Sequence, residues 1–328
     1  MPNPSNGKLH HRYANSENGH PDIRAIRYED ASRVNGRHLH TVSEAVAVEE
    51  PLEIRLVYGR THERLNKPIS VTMRTPGNDF ELVAGFLMTE GIVNDSCDIE
   101  EIAYDTFDVG RAEDDGSSDL ILQRKNNSIR VELASDVRVR QQTLERNFYT
   151  TSSCGVCGKA SLLALRTVCP PRRLNEFVMD VELLRVLPRR LRAMQSVFDS
   201  TGGLHGAGLF GQDGSLIGLR EDVGRHNAVD KLLGREFLDD KTPIRDALLL
   251  LSGRASFELL QKAAMAGVPM VASVGAPSSL AVQLAREFDI TLVGFLREDH
   301  FNIYHGTDRV AGLVSSDRGG NSCEPENT

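Results

Sequence analysis

The chain has 328 residues, 40% of them hydrophobic, enough for one large domain or two modest ones with a substantial core. A net charge of −8, no tryptophan and an aromatic content of 5% argue against the basic, base-stacking surface of a nucleic-acid binder. No apolar run is long enough to cross a bilayer, and five scattered cysteines do not make a disulfide scaffold, so a soluble protein of a reducing cytoplasm is expected.

The stretch from Met1 to Asn18 is polar and has no apolar signal core, so no export is expected. Residues 1–41 are rich in His, Asn, Arg and Gly without periodicity, and read as a disordered tail. Their histidines, His10, His11, His20, His38 and His40, are spaced too irregularly for a metal site and read as solvated.

Residues 42–150 read as an α+β domain. Leu52-Glu-Ile-Arg-Leu-Val-Tyr and Ile69-Ser-Val-Thr-Met alternate as strands, and Thr75-Pro-Gly-Asn78 is a turn. Asp79 is expected to cap an amphipathic helix that ends at Gly91. Asp105 to Asp119 is an acidic loop, and Leu120-Ile-Leu-Gln with Ser128-Ile-Arg-Val-Glu-Leu suggests a hairpin around Lys125-Asn-Asn.

Thr150-Thr-Ser-Ser-Cys-Gly-Val-Cys-Gly-Lys159 places two thiols three residues apart among glycines, ahead of an apolar helical pattern. A helix N-terminus there favours the thiolate. One Cys-x-x-Cys is not specific, and half a metal site or a disulfide remain open. A zinc site wants four ligands, and there is no second Cys-x-x-Cys and no His-x-x-x-His; Cys97, Cys169 and Cys323 are single. Further on, Arg172, Arg173, Arg189, Arg190 and Arg192 make the helical region around Leu183 to Val197 positive: a solvated face, or a dock for an acidic partner.

A hairpin is expected around Gly211-Gln-Asp-Gly214, followed by a helix from Val223 to Phe237. The polar cluster Arg220, Glu221, Asp222, Arg225, His226 and Asn227 falls where strand passes into helix, and reads equally as an ion-pair network or as the wall of a site. The last third reads as β-α-β-α-β: Ala247 to Leu251, Phe257 to Ala266, Val268 to Ser273, Ser278 to Phe288 and Ile290 to Phe295. Its strand exits are Ser252-Gly-Arg-Ala-Ser256, Ser273-Val-Gly-Ala-Pro-Ser-Ser279 and Phe295-Leu-Arg-Glu-Asp-His300. All should meet at the carboxyl edge of a parallel sheet, where Gly, Ser, Arg254 and Arg297 suit a phosphorylated or otherwise anionic ligand. None of these exit segments is the Gly-x-Gly-x-x-Gly or the Walker pattern, so NAD binding and ATP hydrolysis are not indicated.

Ser153-Cys-Gly-Val-Cys-Gly158, Gly203-Leu-His-Gly-Ala-Gly208, Arg220-Glu-Asp-Val-Gly-Arg-His-Asn-Ala-Val-Asp-Lys231, Ser252-Gly-Arg254 and Val274-Gly-Ala-Pro-Ser-Ser279 occur in an order that resembles the FdhD family, as does Phe86-Leu-Met-Thr-Glu-Gly-Ile92. The resemblance implies a sulfurtransferase that accepts persulfide sulfur from a cysteine desulfurase. The sulfur passes to the bis(guanine dinucleotide) molybdenum cofactor, as formate dehydrogenase activity requires.

It further implies a cytidine deaminase-like three-layer α/β domain over 151–314 beside the smaller N-terminal α+β part, with 315–328 a disordered tail, and a homodimer. Cys154 would carry the persulfide with Cys157 as its partner. Phe295, Leu296, Arg297, Glu298, Asp299 and His300 would hold the cofactor together with Ser252, Gly253, Arg254, Gly275, Ser279 and His226. No metal of its own, no nucleic acid and no membrane are implied. Glu298-Asp299-His300 departs from the glycine-containing turn of related sequences, and Ser153 replaces the proline of zinc deaminases, whose His-x-Glu is not visible. A cofactor-binding chaperone that moves no sulfur and a thiol-disulfide oxidoreductase are the competing readings, with a zinc hydrolase behind them.

Overall fold

The structure, a computed structural model, describes residues 23–105, 126–139, 169 and 176–314. Cys154, Cys157, the remainder of the acidic loop, the first strand of the hairpin expected around Lys125, Arg172, Arg173 and the C-terminal tail lie outside the described residues.

The described chain opens on a ribbon of β1 (Ile26–Asn35) and β2 (His38–Ala47), paired antiparallel along their whole length and turned by Gly36 at φ 62°. The disordered tail expected over 1–41 is therefore corrected: residues 26–35 and 38–41 are paired strand, joined by the turn at 36–37. The ribbon gave no core signal in sequence because both its faces are largely exposed. Only its base is covered, where Ala25, Ile26 and Ala47 meet Val197, Phe198 and Leu204.

β3 (Glu50–Tyr58) and β4 (Leu65–Arg74) lead into α1 (Asp79–Thr89), β5 (Ile99–Tyr104) and β6 (Ser128–Leu133). They form a four-stranded sheet in the order β4-β3-β6-β5. Leu52, Ile54, Leu56 and Tyr58 alternate inward on β3, as the period of two requires. β6 runs parallel to β3 and antiparallel to β5.

Asp79 does not cap α1. The N-cap is Asn78 at φ 55°, and Asp79 is a buried carboxylate bound by Arg74 Nε and Nη2, both at 3.0 Å. A buried guanidinium leaves its carboxylate little freedom to serve a helix end, because losing either partner strands the other charge.

β7 (Met179–Asp180) precedes α2 (Val181–Met194), which Asp180 caps by accepting from Glu182 N at 2.8 Å, and α3 (Ser196–Thr201) follows. Then come β8 (His205–Gly211), β9 (Leu216–Asp222), α4 (Arg225–Leu238), β10 (Ala247–Leu251), α5 (Phe257–Met265), β11 (Met270–Ser273), α6 (Ser279–Glu287), β12 (Thr291–Gly294), β13 (Asn302–His305) and β14 (Val310–Ala311). The six-stranded sheet is ordered β13-β12-β11-β10-β8-β9, with β10, β11 and β12 parallel and the other neighbours antiparallel. This is a mixed α/β protein.

Alternate residues of the sheet feed two cores. Leu209, Leu249, Val271 and Leu292 pack under α4, α5 and α6, whereas Phe210, Leu248, Met270 and Val293 pack against Leu184, Leu187 and Leu191 of α2. The first core is continuous with that of the four-stranded sheet. α1 and α4 join the two halves so closely that a Cβ on Gly85 would stand 1.9 Å from the Asp230 carbonyl oxygen, and one on Gly234 1.9 Å from that of Glu81. Only glycine permits that approach.

Candidate functional site

The three strand exits meet at one edge, as the parallel topology requires, and backbone bonds stitch them into one surface. Gly275 N donates to Gly253 O at 2.9 Å, and Phe295 N to Gly275 O at 3.0 Å. Ala255 bridges Pro277, and Leu296 N donates to Ser273 O at 3.0 Å. A Cβ on Gly275 would lie 3.0 Å from the Arg254 backbone, so the absence of a side chain lets the first two exits lie side by side.

The candidate side chains differ in what they have free. Ser252 Oγ is committed, accepting from Gly206 N at 2.8 Å, which ties the β10 exit to β8. Arg254 is exposed, and its guanidinium has no hydrogen bond or ion pair among the described residues. Arg297 is exposed but donates through Nη1 to Val274 O at 2.7 Å. The cap of α6 is Ser278, which accepts from Ala281 N at 3.2 Å; Ser279 is its first helical residue and is exposed. Leu296 is fully buried, so only its backbone belongs to the edge. Phe295 holds φ 54° and is 39% exposed. A bulky residue in the left-handed region costs on the order of 1–3 kcal/mol, and such residues cluster at ligand clamps.

Glu298 and Asp299 stand exposed at the rim. Arg189 of α2 faces Glu298 at 3.7 Å, and His300 Nδ1 meets Asp299 at 2.9 Å. Each acid thus has a partner of its own, a guanidinium for Glu298 and an imidazole for Asp299, and Arg254 is engaged by neither. Outside this edge a cavity of about 600 Å³ lies between α2 and β13, lined in part by Arg185, His300 and Tyr304.

The polar cluster that runs from the end of β9 into α4 divides in two. Arg220 Nη2 binds Glu81 of α1 at 2.6 Å. Glu221 accepts from Val197 N and Phe198 N at the start of α3, and burial pushes its carboxyl above the ordinary range. Asp222 takes Thr75 N, Gly224 N, Asn227 Nδ2 and Lys231 Nζ, the last at 2.7 Å. These residues hold the fold.

Arg225 and His226 do not. Arg225 Nε and His226 Nε2 are sealed from solvent with no partner among the described residues. Burial first, then Lys262 and Arg225, push the His226 pKa down to about 4. The charged neighbours of His226 are Lys262 and Glu258 of α5 and Arg225, with His205 of β8 close by.

Sequence reasoning passed over His205, at the start of β8. Its ring sits 3.4 Å from where a Gly253 Cβ would stand, and burial followed by Arg225 lowers its pKa. The histidine between glycines in Gly203-Leu-His-Gly was the available signal. It also passed over Lys262, buried against Asp230 at 2.9 Å and Glu90 at 3.4 Å. Burial would lower that amine, but the two carboxylates hold it above its ordinary value.

Among the described residues no three His, Cys, Asp or Glu side chains gather as a metal site, and no helix is long and apolar enough to cross a membrane.

The parallel strands of this mixed sheet present stitched Gly/Ser loops, and an arginine with no partner among the described residues, at their carboxyl edge, the place where α/β proteins bind their ligands. The FdhD/NarQ family model matches residues 47–311, and the chain belongs to that family. It is 51% identical over 286 residues to the sulfur carrier protein FdhD of Streptomyces coelicolor, covering 85% of this chain and 93% of that one. To the sulfur carrier protein FdhD of Mycobacterium tuberculosis it is 47% identical over 289 residues, covering 88% and 97%. A crystal structure provisionally described as a formate dehydrogenase accessory protein, from Desulfotalea psychrophila, superposes with a TM-score of 0.64 at 22% identity, covering 87% of this chain and 99% of that one, and shares its fold.

Proposed function

We propose that this chain is a sulfur carrier that matures formate dehydrogenase, taking sulfur from a cysteine desulfurase to the bis(guanine dinucleotide) molybdenum cofactor. The observation that supports this most is the 51% identity, over most of both chains, to a relative named for sulfur carriage. The two thiols of Ser153-Cys-Gly-Val-Cys-Gly158 supply the chemistry such a role needs.

In the first step the Cys154 thiolate attacks the outer sulfur of the donor persulfide. The donor cysteine leaves as thiolate and Cys154 becomes the persulfide. In the second, Cys157 attacks the inner sulfur of that persulfide, forming the Cys154–Cys157 disulfide. The sulfane sulfur departs as sulfide, which the molybdenum of the bound acceptor takes as its ligand. Two thiols are oxidised and one sulfane sulfur is reduced, so the electrons balance.

On this reading the strand-exit edge receives the acceptor. Arg254, Arg297 and the backbone of Gly253, Gly275 and Phe295 to His300 face its phosphates, and Ser252, Leu296 and Ser279 shape the loops. The six-stranded sheet between α2 and α4–α6 is read as the cytidine deaminase-like layer arrangement over 151–314, with 42–150 as the N-terminal addition, working as a cytoplasmic homodimer. The test is maturation in vitro: the persulfide-loaded chain should activate formate dehydrogenase that lacks sulfur, and Cys154→Ala should not. Equal activation by Cys154→Ala contradicts the reading.

A further inference from the structure

The ribbon of β1 and β2 is packed only at its base, where Ile26 and Ala47 meet Val197, Phe198 and Leu204. A lone two-stranded ribbon is at best marginally stable in water and wants one face covered. Beyond the base, Tyr28 is 72%, Val34 64% and Leu39 68% exposed.

The register puts these side chains on one face. Alternate residues point the same way, so the packed pair Ile26–Ala47 is followed by Tyr28–Ala45, Asp30–Ser43, Ser32–Thr41 and Val34–Leu39. The opposite face carries Arg27, Glu29, His40 and the ion pair of Arg33 with Glu44. β2 read alone hides this sorting, because Val42 and Val46 lie on the charged face; only the pairing with β1 shows it.

The order of the pairs says what covers them. From Tyr28 to Val34 the face is apolar at both ends, with hydroxyls and one carboxylate in the middle. Turned about a two-fold axis that runs across the strands between Asp30 and Ser32, it meets itself in register. Tyr28 then lies on Val34 of a second copy, Ala45 on Leu39, Asp30 on Ser32 and Ser43 on Thr41. The small Ala45 faces the large Leu39, and each central pair holds a hydroxyl donor and an acceptor. Parallel stacking would drive the two α3 helices into one another, since each covers that same face at the base.

We infer that the β1–β2 ribbon is a dimerisation arm whose partner is the same ribbon of a second copy, stacked antiparallel across a two-fold axis. The contact rests on the homodimer reading given above and supplies its interface; neither Cys154 nor the acceptor enters it. The stacked stretch is about 20 Å long and about 10 Å wide, at the low end of specific interfaces, so the dimer dissociates on dilution through the micromolar range.

The test uses the full chain. Tyr28→p-benzoylphenylalanine is prepared in ordinary and in nitrogen-15-labelled form, and the two are mixed and irradiated. Mass spectrometry of the cross-linked peptides should join position 28 of one isotope to the segment from Ser32 to Leu39 of the other. Sedimentation of the wild type should show a monomer–dimer equilibrium that Val34→Asp with Leu39→Asp weakens at least tenfold. The cross-link decides the matter even where the double variant does not fold. Adducts confined to a single chain, which mean that the chain covers its own ribbon, overturn the inference. So does a monomer at every concentration, or a dimer undiminished in the folded double variant. Persulfide loading is read on the same samples, so a wild type that loads sulfur without ribbon contact loses this inference and keeps the carrier reading.

Discussion

Lys231 Nζ and Asp222 Oδ2 stand 2.7 Å apart in the interior, their side chains 2% and 0% exposed. Lys231 also donates to Thr75 O at 2.8 Å and Asp222 accepts from Thr75 N at 3.1 Å, so this pair fastens the end of β4 to β9 and α4. Removing one partner strands the other charge away from water. Lys231→Met should therefore destabilise the protein by about 3–5 kcal/mol, read as a lower urea midpoint. A loss of about 1 kcal/mol or less, the worth of an exposed pair, would show that the pair does not hold the two sheets together.

Gly234 is where α4 crosses α1, and a Cβ there would meet the Glu81 carbonyl oxygen at 1.9 Å and Gly85 N at 2.5 Å. Both obstacles are backbone and cannot rotate aside. Gly234→Ala should cost about 1–3 kcal/mol or more through forced separation of the helices, despite the better helix propensity of alanine. A thermal midpoint equal to or above that of the wild type would contradict the crossing.

How much of this was legible in sequence depended on whether a residue's partner was local. The run Ala247 to Leu251 announces a doubly buried strand, and the glycine-serine exit that follows it announces the carboxyl edge where the exits meet; both lie in one short stretch of chain. β1 and β2 were missed because a ribbon exposed on both faces carries no hydrophobic contrast. Asp79 was misread as a cap because its true partner, Arg74, lies five residues upstream on a strand. The cluster from Arg220 to Asn227 could not be divided in advance: Asp222 and Asn227 are structural because Met73 and Thr75, some 150 residues earlier, come to meet them. His226 is left over because nothing described does.

His226 also sets a pH dependence. Burial and the Lys262 and Arg225 charges hold it at about 4 against an ordinary 6.5, so the unfolded chain binds this proton more tightly than the folded one. Its contribution is complete above the unfolded value and drains as the pH falls toward the folded one. Stability should drop by about 2–3 kcal/mol between neutral pH and pH 4.5 on this account alone. In His226→Gln that part of the slope should vanish in urea titrations at several pH values. An identical slope in the variant would show that His226 titrates normally.

Arg254 is exposed and makes no bond within the described structure, so its loss should leave stability within about 0.5 kcal/mol of wild type. If it faces a phosphate, Arg254→Ala should weaken guanosine diphosphate binding by about ten- to a hundredfold, the worth of a charge-assisted hydrogen bond. Equilibrium dialysis beside a thermal melt separates the two effects. Unchanged binding would remove Arg254 from the site.

The central claim is that sulfur travels on Cys154. Intact-protein mass spectrometry after incubation with a cysteine desulfurase and cysteine tests it directly, comparing wild type, Cys154→Ala and Cys157→Ala. The account predicts a thiol-reversible gain of one sulfur, about 32 Da, in wild type and none in Cys154→Ala. It predicts a gain that persists in Cys157→Ala, where release is blocked and loading is not. A gain of the same size in Cys154→Ala, or none in wild type, would contradict it.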